Sequence, residues 1–340
     1  AASDVYKRQG LNRPFMSTAN PLAANQYDVL ENGGDQLNAT FTADVNITSF
    51  LKANVTSTVN WGQTNYSNYS NPFYGSKVGV NGEINKQSTS ALRTNNVQTL
   101  TYFQDFDRHS VNVMVGHEYY KTTTKFLGAI AQGGFSPSIP EIDAFAKISD
   151  ASSYKSGYNV EGYFGSAQYN YDQRYFASAS FRRDASSYFA KENRWGNFWS
   201  VGGAWLISKE NFMQSSASWL NMLKLKFSVG QQGNDNIGAY AYTDLYDLVP
   251  TGSTSMGATF KRMGNPDITW ETTTNYNLGV EFSLWEGRLS GNVDYYVKKT
   301  SDLLFWLSIP ESSGTRGYYG NVGDIRNMGI EAVLTGAIIR

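Results

Sequence analysis

Leu223-Lys224-Leu225-Lys226-Phe227-Ser228-Val229 decides the fold. Leu223, Leu225, Phe227 and Val229 alternate with Lys224, Lys226 and Ser228. Successive side chains of an extended chain leave on opposite faces, so this stretch has one apolar and one polar face. On a helix the same residues would scatter around the axis. The pattern recurs. Leu289, Gly291, Val293, Tyr295 and Val297 alternate with Ser290, Asn292, Asp294, Tyr296 and Lys298. Val111, Val113 and Val115 alternate with Asn112, Met114 and Gly116, and Ala53, Val55, Ser57, Val59 and Trp61 with Asn54, Thr56, Thr58 and Asn60.

Working outward, the alternation predicts roughly eleven strands, near 37–47, 51–62, 88–104, 107–121, 158–171, 175–185, 195–208, 220–231, 271–285, 288–300 and 325–340. Several exceed the ~9–11 residues with which a tilted strand crosses a bilayer. The connections tend to alternate. Short ones fall near 48–50, 105–106, 172–174 and 286–287, and long ones near 63–87, 122–157, 232–270 and 301–324. An up-and-down membrane barrel has this asymmetry, with tight turns on one side and long loops on the other. One connection on the short side, 209–219, is longer, and Lys209-Glu210-Asn211-Phe212-Met213 suits a helical turn.

Composition agrees. The 340 residues include 15% aromatic and only 17% charged residues, carry a net charge of -1 and contain no Cys. No basic face for nucleic acid is expected. Disulfides, thiolate metal sites and thiol nucleophiles are excluded. Mean hydropathy is -0.42. No apolar run reaches the ~18 residues of a membrane helix, but only alternate residues of a barrel strand face lipid. Residues 1–9 lack the apolar core of a signal peptide, and Asp4-Val5-Tyr6-Lys7-Arg8-Gln9 has the look of a junction segment. The expected organisation is therefore a junction at 1–9 and a partial barrel over 10–340, ending inside a strand at Leu334–Arg340.

An ordered series of short motifs carries a family resemblance. It runs through Asn20-Pro21-Leu22-Ala23, Gly162-Tyr163-Phe164-Gly165 and Tyr169-Asn170-Tyr171-Asp172-Gln173-Arg174-Tyr175. It continues through Arg182-Arg183-Asp184-Ala185-Ser186-Ser187, where Ala185 replaces the usual Gly, Asn193-Arg194-Trp195-Gly196 and Ser200-Val201-Gly202-Gly203-Ala204-Trp205. Leu223-Lys224-Leu225-Lys226, Gly230-Gln231-Gln232-Gly233-Asn234, Trp270-Glu271, Asn275-Tyr276-Asn277-Leu278-Gly279, Asn321-Val322-Gly323 and Asn327-Met328-Gly329-Ile330-Glu331 complete it. The chain resembles SusC/RagA-type TonB-dependent transporters of Bacteroidetes outer membranes, most closely over 160–340. The resemblance implies an all-β fold, an antiparallel up-and-down transmembrane β-barrel of which this chain is part. The family barrel has 22 strands around an N-terminal plug, so the plug, the TonB-contacting box and the final strands are expected to lie outside this stretch. It implies a multi-pass protein of the bacterial outer membrane that imports an oligosaccharide or peptide. The expected partners are a SusD-like surface lipoprotein, the TonB complex and outer-membrane lipid, with no nucleic acid.

No catalytic, cofactor or metal site is expected. His109 and His117 are eight apart on one face of a strand, about 27 Å by strand rise, too far for a shared metal. They read as lumen or interface residues. No Gly-x-Ser-x-Gly elbow stands between a strand and a helix. Asn234-Asp235-Asn236 has too few carboxylates for a calcium loop and reads as a polar turn. Asn-x-Ser/Thr triplets at Asn38, Asn46, Asn54, Asn65 and Asn68 read as chance matches in an Asn/Thr-rich chain. The binding candidates are loop aromatics: Tyr66, Tyr69, Phe73 and Tyr74; Tyr240, Tyr242 and Tyr246; Tyr318 and Tyr319. Flat rings stack on sugars and Tyr hydroxyls hydrogen-bond. The plainer reading is that they pack the loops or touch the partner lipoprotein. Two alternatives stand beside import: an outer-membrane barrel hydrolase with its site at the rim, and a soluble carbohydrate-binding β-protein.

Overall fold

A computed structural model describes residues 25–73 and 75–337. The junction segment, Asn20–Ala23 and Tyr74 lie outside the described residues. In chain order the strands are β1 (Val29–Asn46), β2 (Leu51–Ser70), β3 (Glu83–Phe106), β4 (His109–Gly134), β5 (Phe145–Tyr171), β6 (Tyr175–Ser186), β7 (Trp195–Leu206), β8 (Leu220–Asn234), β9 (Leu245–Pro250), β10 (Met256–Arg262), β11 (Glu271–Leu284), β12 (Leu289–Ser301), β13 (Leu304–Ser308), β14 (Gly317–Asn321) and β15 (Ile325–Gly336). Eleven of them form one sheet in the order β1-β2-β3-β4-β5-β6-β7-β8-β11-β12-β15. These correspond one for one to the eleven strands expected from alternation. Each pairs with its neighbour in the chain once β9–β10 and β13–β14, two separate hairpins, are set aside. The sheet does not close, since β1 and β15 are its edges.

The first five strands run well past their expected ends. β2 continues through Gln63–Ser70, β4 through Thr122–Gly134, and β5 begins at Phe145 instead of near 158. Sequences such as Lys121-Thr122-Thr123-Thr124-Lys125 are polar on both faces, so alternation fades there. The ladder of backbone hydrogen bonds continues, because it needs no particular side chain. The loops expected at 63–87 and 122–157 shrink accordingly to 71–82 and 135–144. The helical turn expected in 209–219 is present as two 3-10 turns, Ile207–Lys209 and Asn211–Ser216.

Register turns alternation into two surfaces. Val201, Val229, Tyr276, Val297 and Met328 lie in one row across five strands. The next position gives Ser200, Gly230, Asn275, Lys298 and Asn327. The apolar surface is uncovered: Phe227, Leu278 and Ile330 are 54%, 52% and 72% exposed. A soluble sandwich would pack this face against a second sheet. In water each such side chain would forgo about 1.5–3 kcal/mol of burial.

Aromatic rings border the apolar surface at both ends. Near the short turns, Tyr171 stacks on Tyr175 at 6.2 Å and Tyr175 on Trp205 at 6.3 Å. Glu210 accepts hydrogen bonds from the Tyr175 hydroxyl (2.6 Å) and Trp205 Nε1 (3.0 Å). These bonds, the Tyr175 contact foremost, hold the Glu210 carboxyl below the usual range. At the other end Tyr163 and Trp195 lie 6.3 Å apart. Ten residues of β7 separate Trp195 from Trp205, about 33 Å along a strand. At the roughly 40° tilt of membrane barrels this rises about 25 Å, the height of their apolar band.

Two compact units divide the chain. One holds the residues through Thr40 with Thr58–Thr94 and Lys121–Gly157. Its core is Tyr69, Ile84, Ala131 and Phe145. The other holds Phe41–Ser57, Asn95–Tyr120 and everything from Tyr158. Its core is Phe189, Phe198, Ile237, Ala241, Ile268 and Trp270. Here the Phe198 ring lies over two glycines of the sheet. A Cβ at Gly196 or Gly233 would overlap that ring, and at Gly233 would also come within 2.8 Å of Trp270.

Two predictions follow from this architecture. Gly233→Val over-packs Phe198 and Trp270 and costs about 1–3 kcal/mol. In a double-mutant cycle with Phe198→Ala, measured as urea midpoints of the full-length protein, the two losses should be less than additive; strict additivity would deny the contact. The second concerns the 172–174 turn. Asp172 and Gln173 both have positive φ (53° and 52°), and Arg174 N–H donates to the Tyr171 carbonyl at 2.9 Å, as a type I′ turn requires. Gln173→Ile should lower the midpoint by about 1–2 kcal/mol of stability, whereas Gln173→Gly should not; equal midpoints would show that the turn imposes no constraint.

Candidate functional site

The polar surface of the sheet is a built wall. Part of it is a concavity of about 800 Å³ whose lining includes Gln168, Ser178, Lys226, Asn277, Asp294 and Tyr296. β8, β12 and β15 supply its charges, Lys226, Asp294 and Glu331, and Glu281 of β11 stands beside them. Lys226 Nζ donates to Glu281 at 2.9 Å and approaches Asp294 at 3.1 Å. Lys224 stands 3.8 Å from Glu281, and Asn292 donates to Asp294 at 2.7 Å. Gly279 lies between them in register, opposite both Lys226 and Asp294. A Cβ there would collide with both side chains, so a glycine makes room for the ion pair.

The same device recurs at the far end of the wall. Arg182 Nε donates to both oxygens of Asp184 at 2.8 Å, and its NH2 nitrogen donates to Glu118 at 2.8 Å. Gly162 pairs with Asp184 across β5 and β6, and a Cβ on it would overlap Asp184 and crowd Arg182. The signal for the wall was present in the polar half of each alternating strand, but which charges meet depends on register.

The aromatic candidates separate into three environments. Tyr69 is 3% exposed, lies in β2 and packs edge-on against Phe145 at 6.3 Å. Tyr66 also lies in β2, half-buried, beside a surface concavity it shares with Lys86 and Leu127. Both were expected in a loop; strand extension places them in the sheet. Tyr242 and Tyr319 pack on the Phe189–Trp270 core. Tyr319 also meets Trp306 edge-on at 5.1 Å and the Arg262 guanidinium at 5.4 Å. Tyr318 is half-buried in β14. Phe73, Tyr240 and Tyr246 are exposed.

The loops that carry them are held by specific bonds. Trp270 Nε1 donates to the Arg194 carbonyl at 2.9 Å. Asn321 Nδ2 donates to the carbonyls of Thr269 and Asp302, both at 2.9 Å, and its Oδ1 accepts from Thr269 N–H at 2.9 Å. Asn265 Nδ2 donates to the Tyr319 carbonyl at 3.0 Å. Tyr246 sits on the β9–β10 hairpin with its ring 5.5 Å from Phe260. In register, Tyr246, Leu248 and Pro250 share a face with Phe260, Ala258 and Met256. The connection expected as one long loop at 232–270 thus contains a hairpin, with strands of six and seven residues.

The two histidines lie on the apolar surface with only Val111, Val113 and Val115 between them on that face. His109 Nδ1 is 2.7 Å from the Tyr169 hydroxyl, next to the Tyr171–Tyr175 belt. His117 bonds Gln98 at 2.9 Å and Glu161 at 3.3 Å, next to Tyr163. They mark the two borders of the apolar band. Among the described residues no group of His, Asp and Glu side chains has metal-holding geometry.

Comparison with known proteins places this architecture. The family described as "TonB dependent receptor-like, beta-barrel" matches residues 3–338. The TonB-dependent receptor P26 of Formosa agariphila is 31% identical over 273 residues, covering 77% of this chain and 27% of its own length. The TonB-dependent receptor SusC of Bacteroides thetaiotaomicron is 34% identical over 194 residues, 55% of this chain and 19% of its own. The solved RagAB peptide transporter superposes with a TM-score of 0.88 at 27% identity, covering 94% of this chain and 36% of that one. The ferric-catecholate receptor Fiu of E. coli, at 12% identity and a TM-score of 0.52, shares the fold alone. The chain spans about a quarter of the length of the receptors P26 and P3 (27% and 26%). By name these relatives are receptors and transporters. With one face built for lipid, the other for a polar lumen, and a family match over nearly its whole length, this chain belongs to the TonB-dependent receptors and forms part of their outer-membrane β-barrel.

Proposed function

We propose that the protein containing this chain imports an oligosaccharide or a peptide across the outer membrane, driven through TonB. A SusD-like surface lipoprotein covers its long loops, and a plug and closing strands lie outside this stretch. The observation that carries the reading is the two-faced sheet, apolar and ringed by aromatics on one side and lined by paired charges on the other. Its likeness to the RagAB peptide transporter over 94% of the chain supports the same assignment. That relative's name favours a peptide among the cargo classes.

In this reading the barrel performs no bond-making chemistry. The wall around Lys226, Glu281 and Asp294 keeps the lumen wet and its charges satisfied. The exposed rings of Phe73, Tyr240 and Tyr246 contact cargo or the lipoprotein, with Tyr66, Tyr318 and Tyr74 as further candidates. Tyr69, Tyr242 and Tyr319 serve by holding the strand ends and loops in shape.

Uptake of labelled peptides and oligosaccharides by cells carrying the full-length gene tests this. Uptake should need TonB and cease when TonB is deleted; uptake that persists would overturn active import. Tyr246→Ala should raise the half-saturating concentration about five- to ten-fold, the worth of one aromatic contact, with unchanged receptor in the membrane. Tyr69→Ala should instead reduce the amount of folded receptor by removing a buried core ring. An unaltered half-saturating concentration for Tyr246→Ala would remove that residue from the binding surface.

A further inference from the structure

We propose that the apolar face carries a specific lipid site, in which Arg183 holds the phosphate of an outer-leaflet glycolipid of the lipid A class and one acyl chain fills the groove below it. This rests on the membrane placement of the barrel but not on the cargo or on TonB.

Arg182 and Arg183 are adjacent in sequence and opposite in fate. Arg182 faces the lumen and is bonded to Asp184 and Glu118. Arg183 pairs in register with Tyr163 on the apolar face. Its guanidinium lies 5.1 Å from the Trp195 ring, and no ion pair to it occurs among the described residues. The acidic side chain next along this face, Glu161, is taken by His117 at 3.3 Å and by the Tyr163 hydroxyl at 2.8 Å. Arg183 therefore presents a fork of donors at the border of the lipid band without an anion to receive them. A guanidinium matches phosphate oxygens two at a time, and the Trp195 stack holds it at the belt.

Directly beside Arg183 opens a groove of about 690 Å³ lined by Val113, Val115, Gly165, Ala167, Ala179 and Phe181. Its lining is almost wholly carbon. Through Ala167 and Ala179 it continues into a second groove of about 590 Å³ that reaches Trp205 at the other belt. An acyl chain fits such a trough, as a polar ligand would not. The lining strands β4, β5, β6 and β7 are interior to the sheet order, so strands added at its edges do not cover the groove. Arg183 stands at the end of the long loops, which in outer-membrane barrels is the cell-surface side. The phosphate-bearing lipid of that leaflet is the glycolipid, which decides the occupant.

The test uses full-length receptor purified in detergent, stripped of lipid, and mixed with lipid A or, separately, with phosphatidylglycerol. Native mass spectrometry counts the lipid retained. Wild-type receptor should retain one lipid A. Arg183→Gln should retain it roughly ten-fold more weakly, the worth of a charge-assisted phosphate contact, while Arg183→Lys recovers part of the loss. Ala179→Leu should fill the groove and abolish retention. Heat-modifiable migration on gels shows that each variant is folded. Equal retention by folded wild type, Arg183→Gln and Ala179→Leu would overturn the site, and so would equal retention of phosphatidylglycerol. Import by the same variants is read separately, so loss of the lipid site leaves the transport reading intact.

Discussion

Backbone hydrogen bonding governs this molecule. Inside a bilayer every peptide N–H and C=O must find a partner in the protein, because lipid offers none. Eleven strands meet that demand side by side, each bonded to its chain neighbour in the sheet. Everything else is arranged on this ladder: the two-sided alternation, the belts, the paired charges and the glycines beneath them. The two edges, β1 and β15, are where the demand is still open, and the closing strands proposed above would answer that requirement in a membrane. The chain's span of about a quarter of receptors P26 and P3 accords with that requirement.

The two faces answer to different solvents. On the apolar face Phe227, Leu278 and Ile330 stand out from the protein, which only lipid makes favourable. Polar side chains on this face gather at its borders: His109 with Tyr169 at one, His117 with Glu161 at the other. On the polar face charges pair across strands, among rings such as Phe164 and Phe176 on which Arg182 and Lys224 lie. Lys226 is shared by Glu281 and Asp294, and Arg182 by Asp184 and Glu118. Such pairs need room, and the strand glycines Gly279 and Gly162 supply it. Glycine in a strand interior weakens it in isolation; here the neighbouring side chains use the space.

The long loops are ordered by a small core rather than by the sheet. Phe198 belongs to β7, but Ile237, Ala241, Ile268 and Trp270 come from the connection around β9 and β10 and close over it. Asn321 ties that connection to the next one through two hydrogen bonds to Thr269, and braces its own connection through a third to the Asp302 carbonyl. The rings of Tyr242 and Tyr319 are consumed in this packing, while Phe73, Tyr240 and Tyr246 remain on the surface.

By itself the sequence determined the fold class, the number and order of the sheet strands, which residues share a face, and the tight turns to within about two residues: the one expected at 105–106 lies at 107–108. These follow from a local period of two and from turn residues, and both can be read within about ten positions. The motifs from Gly162 to Glu331 determined the family. Tertiary structure decided how far β2, β4 and β5 run, because the ladder continues where side chains are polar on both faces. It decided that Tyr69 is core and Tyr246 surface, and that 232–270 holds a hairpin, because burial depends on segments distant in the chain. It also decided the partners of Lys226 and the contrast between Arg182 and Arg183. Alternation places neighbours on opposite faces, but only cross-strand register says which carboxylates await them there.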